Sequence, residues 1–234
     1  MLWALAEPAA FAGLLVAFAL GLLIRTTTQR ALRRWVLGER RLPVMPRLRY
    51  DVDPFGAVAA ALGGTGWGKA AELPTPGGFG YGGIHVGAAR FGRAWRALTL
   101  AGGPLAVLVA GWAVLALHRV WYPDSFLIVF SRPVDVLRGV PGQAGEQFLL
   151  SAGVGLLCFG VLALIPLPPL DGWGLLWLAL RRPGPGAQRA RYWLEDHNLG
   201  VVILLACALL PPGARPILLV VLDYLVWPLT GPFR

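Results

Sequence analysis

Apolar runs recur along the chain, separated by stretches dense in arginine, glycine and proline. Residues 8–24, 97–117 and 147–170 carry no charged side chain. Each falls near the roughly 20 apolar residues that a helix needs to cross a bilayer core of about 30 Å. Residues 199–210 and 216–232 read as a closing helical pair around Pro211-Pro212-Gly213. A further apolar stretch, 54–66, is glycine-rich and too short for a span. The pattern predicts an all-α polytopic membrane protein of about five to six transmembrane helices, with residues 1–234 forming a single integral membrane domain. The first run lacks a basic leader and follows Glu7, so it reads as a span rather than a cleaved signal peptide.

Composition sharpens the class. Of 234 residues, 56% are hydrophobic and 14% charged, against about 25% charged in soluble domains, and the mean hydropathy is +0.63. A soluble enzyme, a nucleic-acid module and a disordered chain are thereby excluded. The net charge of +9 comes from arginines that flank the apolar blocks, so the partner it implies is the lipid bilayer and not nucleic acid. Arg25, Arg30, Arg33, Arg34, Arg40, Arg41, Arg47 and Arg49 outnumber Glu39, Asp51 and Asp53. That segment is expected to be cytoplasmic, with the N-terminus outside. Arg90, Arg93 and Arg96, and later Arg181, Arg182, Arg189 and Arg191, agree, and Arg234 places the C-terminus inside. The arginine-rich segment serves first as a topology signal, with anionic-lipid binding and a partner site as alternatives. Lys69 is the sole lysine; the arginine bias hints at a GC-rich genome, and the expected location is a bacterial cell membrane. Tryptophans such as Trp3, Trp35, Trp95, Trp121, Trp177 and Trp227 lie near span ends, as an interfacial belt would.

Chemistry concentrates in Leu164-Ile165-Pro166-Leu167-Pro168-Pro169-Leu170-Asp171-Gly172. Its prolines break any helix, and non-helical backbone at membrane depth survives only where protein or water covers it. A carboxylate there is a functional candidate; alternatively, Asp171 caps the helix that follows. A second irregular stretch, 74–87, alternates glycine with Phe79, Tyr81 and Ile84 and reads as a loop or a membrane-edge hairpin. Two cysteines, Cys158 and Cys207, make no disulfide framework.

The proline string resembles the second signature of the site-2 proteases, intramembrane zinc metalloproteases. Other strings follow in that family's order: Asp53-Pro54-Phe55-Gly56, Gly64-Thr65-Gly66-Trp67-Gly68-Lys69, Ala101-Gly102-Gly103-Pro104-Leu105-Ala106 and Leu194-Glu195. The resemblance covers about residues 10–210 and implies a site-2-protease-like helix bundle. It also implies an H-E-x-x-H motif shortly before a Leu-Gly-acidic turn. Leu37-Gly38-Glu39 fits the turn, and counting back puts Thr26-Thr27-Thr28-Gln29-Arg30 on the motif.

Those residues cannot perform the motif's chemistry. Histidines at i and i+4 share a zinc ion from one helix face; Thr26 and Arg30 keep the spacing, but a guanidinium has no lone pair to give. Thr27 replaces the general base. Val107 and Ala163 stand where the family has asparagines, which leaves Asp171 as the retained family position. His85, His118 and His197 are not at metal-ligand spacing, and His118 is expected to sit at an interface. No catalytic residue and no cofactor is therefore expected, and any metal would rest on Asp171. The substitutions suggest that Arg30 pairs with Asp171 in place of the metal, with Arg25 as the partner if the register slips.

The leading expectation is a pseudoprotease that binds a partner's transmembrane or extended segment as scaffold or regulator. Gly78, Phe79 and Tyr81 of the glycine loop would engage it by strand addition, unless the loop is only a connection, together with Pro168, Pro169 and Asp171. The alternatives are an active intramembrane zinc metalloprotease with an unusual site, and a small transporter served by Asp171 and Asp223. Asp223 itself could face either the bundle or a terminal interface.

Overall fold

The computed structural model describes residues 2–36, 44–45, 51–69, 92–180, 183–210 and 216–233. A short 3-10 turn, Leu2–Ala6, precedes α1 (Pro8–Val36). Then come α2 (Pro54–Gly63), α3 (Arg93–Trp121), α4 (Leu127–Phe130), α5 (Pro133–Arg138) and α6 (Ala144–Leu164). The proline string leads into α7 (Asp171–Ala179). α8 (Pro185–Arg191) continues as a π-turn, Tyr192–Asp196, before α9 (Leu199–Leu209) and α10 (Ile217–Thr230). Among the described residues there is no strand, only an isolated antiparallel bridge between Val52 and Gly68.

Three helices, α1, α3 and α6, are long and apolar enough to cross a membrane, or four spans exist if the bent pair 185–196 and 199–209 is one. The sequence pattern suggested five to six. The difference is length: α9 has 11 residues and α10 has 14, about 17 and 21 Å at 1.5 Å per residue. Both are shorter than a bilayer core.

The three long helices pack on one another with α6 at the centre: 78% of its apolar window is buried, against 44% for α1 and 33% for α3. Small residues let the backbones approach, as membrane helices require when lipid competes equally for apolar side chains. Gly13, Ala17 and Gly21 of α1 form a stripe four residues apart, all buried. A Cβ on Gly13 would lie 2.5 Å from the Phe148 carbonyl, one on Gly21 3.0 Å from the Phe159 ring, and one on Gly155 2.7 Å from Ala17 Cβ. On α3, Gly103, Val107, Gly111, Leu115 and His118 make the matching buried stripe. His118 therefore faces into the bundle with no exposed surface, rather than outward at an interface.

The helices share one end, where α1 carries Arg33 and Arg34 in its last turn and α3 begins with Arg93 and Arg96. At the opposite end α5 and α10 are joined by Asp223, which accepts from Arg132 and from the Val134 N–H, both at 3.3 Å. Asp223 thus faces the bundle.

Residues 51–69 enter and leave the bundle on the same side. Asp53 caps α2 by accepting from Phe55 N at 3.0 Å, and the helix stops at Gly64, whose φ of 87° suits glycine. The chain then runs back along α2, with Trp67 Nε1 donating to Asp53 at 2.8 Å and Lys69 N donating to the Asp51 carbonyl at 3.0 Å. Gly56 and Gly66 make this possible, because a Cβ on either would strike backbone carbonyl oxygen. The short apolar run that looked inadequate as a span is a helix and its return.

Candidate functional site: a buried ion pair where distant strings meet

Asp171 is the hub. Arg25 Nε donates to Oδ2 and Arg25 Nη2 to Oδ1, each at 2.6 Å. Gln29 Nε2 donates to Oδ2 at 2.9 Å. Arg25 is 2% exposed and the Asp171 side chain 0%, so the fork–fork geometry operates without water to screen it. Arg25 and Gln29 sit at i and i+4, on one face of α1.

Backbone atoms complete the shell. Arg25 Nη2 also donates to the Lys69 carbonyl at 3.0 Å, and Gln29 Nε2 to the Leu100 carbonyl at 3.1 Å. The latter acceptor exists because Pro104, four residues on, has no N–H to bond it. Gly103 lets α1 come close, since a Cβ there would lie 2.7 Å from Gln29 Cγ and 2.9 Å from the Arg25 carbonyl. Gly68 does the same beside Arg25, whose Nη1 has no hydrogen-bond partner among the described residues. On the Asp171 side, Gly172 packs against the Leu164 carbonyl where α6 ends. Strings far apart in sequence, 53–56, 64–69, 101–106 and 164–172, thus belong to one construction.

Arg30 does not pair with Asp171. It donates to Asp51 and, at 2.8 Å, to the Met45 carbonyl. One residue is 100° of rotation on a helix, so the face opposite Asp171 carries Arg25 and Gln29, not Thr26 and Arg30. Thr26 and Thr27 bond back to the carbonyls of Leu22 and Leu23 at 2.7 and 2.6 Å, satisfying their hydroxyls within α1. Asp171 does not cap α7: the N-cap is Leu170, with no side-chain cap bond. Val107 and Ala163 are buried packing residues. Pro168 is buried beneath Gly200 at the start of α9, and Pro169, joined to it by a cis peptide bond, is half-buried. Gly78, Phe79, Tyr81 and His85 lie outside the described residues. Gln29 was missed by reading the motif alone; the stripe Gly13, Ala17, Gly21, extended by fours, reaches Arg25 and Gln29.

The donor set does not fit a zinc ion. A permanently charged guanidinium and an amide flank a single carboxylate, whereas zinc takes about three protein ligands from thiolate, imidazole or carboxylate. Among the described residues no three His, Cys, Asp or Glu side chains are grouped to hold a metal. His118 is buried 5.6 Å from the Tyr122 ring, with neither ring nitrogen partnered among the described residues. His197 is exposed against Tyr192 and Trp193. Cys158 is buried and Cys207 half-buried. Set against known protein families, curated proteins and solved structures, the chain matches none.

Proposed function

We propose that this chain is a site-2-protease-like membrane protein without catalysis, in which a guanidinium replaces the metal. It would hold a partner's transmembrane or extended segment as scaffold or regulator, in a bacterial membrane with the arginine end in the cytoplasm. The observation that supports the reading is that strings 64–69, 101–106 and 164–172 meet at Arg25, Gln29 and Asp171, with 53–56 packed against the first of them. Strings chosen for their resemblance alone need not have met. On this reading the motif register is Arg25-Thr26-Thr27-Thr28-Gln29, one residue earlier than the count from Leu37-Gly38-Glu39 suggests. The i and i+4 ligand positions hold Arg25 and Gln29, and Thr26 takes the place of the general base, a role a hydroxyl cannot fill near neutral pH.

Zinc per chain in detergent-purified protein tests this, with Asp171→Ala measured beside it. Well below one equivalent in both is expected. Near-stoichiometric zinc that falls in the variant would overturn it in favour of an active metalloprotease.

A further inference from the structure

The segment 185–196 raises a separate question, because it and α9 together have the apolar content of a span yet meet at a bend of 67°. The bend sits at Asn198, in the left-handed region with φ of 54°, and is preceded by the π-turn. None of residues 185–196 is buried. If this half crossed the hydrocarbon, Gln188, Arg189, Arg191, Glu195 and Asp196 would face lipid or be forced to leave it, and intramembrane charges of that kind turn inward instead. Here none is buried, and even Arg191 and Glu195, which reach α7, keep side chains 40% and 41% exposed. Tyr192 and Trp193 are 51% and 50% exposed, and such amphipathic rings collect at the headgroup level.

The segment is also held to the bundle. Arg191 pairs with Glu195 at 2.9 Å and lies over the Trp177 ring at 5.2 Å, while Trp173 Nε1 donates to Glu195 at 3.3 Å. Both tryptophans belong to α7, whose first residue is Asp171. Gly200 then joins α9 to the proline string, since a Cβ there would lie 2.6 Å from the Pro168 carbonyl.

We propose that residues 185–196 form an in-plane helix whose partner is the bilayer surface at the arginine end, with Tyr192 and Trp193 among the lipid headgroups. The bend converts this surface helix into α9, and the Arg191–Trp177 and Trp173–Glu195 contacts fix α7 to it. The position of the helix that begins with Asp171 is thus referenced to the membrane surface. This assignment stands whether or not the ion-pair centre derives from a metal site.

Spin-label depth measurements test it. In a background of Cys158→Ala and Cys207→Ala, Arg189→Cys, Trp193→Cys and Val202→Cys are labelled singly and reconstituted into phosphatidylcholine–phosphatidylglycerol vesicles. All three positions are exposed. Comparing relaxation by oxygen and by a water-soluble nickel chelate gives depth. Labels at 189 and 193 are expected at equal depth near the headgroups, with the label at 202 in the hydrocarbon. A crossing helix would instead separate 189 from 193 by about 6 Å along the normal, and that result overturns the proposal. Labels at 189 and 193 as accessible to the nickel chelate as free solvent would overturn it too.

Discussion

The Arg25–Asp171 pair lends itself to a double-mutant cycle. In Asp171→Leu, the guanidinium loses two of its three acceptors and retains the Lys69 carbonyl. It stays charged at any accessible pH and remains 2% exposed. In Arg25→Met, the carboxylate is left with Gln29 as its one remaining donor among the described residues. Breaking a buried pair by deleting one partner costs about 3–5 kcal/mol, so each single variant is expected to lose that much. The double variant buries no charge, and apolar replacement of a buried pair is often neutral or stabilising by about 1–4 kcal/mol. Against that, the Lys69 carbonyl loses its donor, worth about 1 kcal/mol. The double variant should therefore lose no more than about 2 kcal/mol relative to the parent, giving a coupling energy of at least about 4 kcal/mol. Unfolding in mixed micelles by rising SDS, followed by circular dichroism, reads all four proteins. Single variants within about 1 kcal/mol of the parent, or a double variant as unstable as the sum of the singles, would refute the reasoning.

The same assay checks four further expectations. Arg30→Ala should cost about 1 kcal/mol, because its pair with Asp51 has side chains 20% and 13% exposed and solvent weakens it. Gly56→Ala should cost about 1–3 kcal/mol, since the new Cβ meets the Trp67 backbone, which has no flexible end to move aside. Gly63→Ala, whose new Cβ would meet nothing within 4 Å among the described residues, should be neutral or stabilising by up to about 1 kcal/mol. Asp53→Ala removes both the α2 cap and the acceptor for the buried Trp67 indole; a loss of about 2 kcal/mol is expected, with Asp53→Asn intermediate.

How much of this was legible in the sequence depends on which physical rule governs each part. Uninterrupted hydropathy located α1, α3 and α6, because lipid-facing and bundle-facing sides are both apolar and length alone marks a span. Hydropathy also stopped α1 short at Ile24, whereas the helix continues to Val36; its last turns carry charges that belong at the membrane edge and to the Asp171 site. The fold of 51–69 was hidden because a helix and its extended return share one short apolar run. Its markers were present in Asp53, Gly56, Gly64 and Gly66, but their meaning depends on contacts between residues ten or more positions apart. The pairing of Asp171 with a cation on α1 was readable from the need to neutralise a buried charge. Its identity was not, since counting from Leu37-Gly38-Glu39 fixes a position along the helix and not an angle around it. The stripe Gly13, Ala17, Gly21 gives the angle, and it points to Arg25.

The central claim, that Arg25, Gln29 and Asp171 stand at metal-ligand positions, is tested most directly by restoring ligands. Arg25→His combined with Gln29→His places two imidazoles at i and i+4 opposite the Asp171 carboxylate. Thr26→His combined with Arg30→His is the control one residue away. Zinc per folded chain, measured after purification in detergent, should approach one equivalent in the first variant and stay well below it in the parent and the control. A folded first variant that takes up no zinc, or a control that takes up as much, would contradict the account.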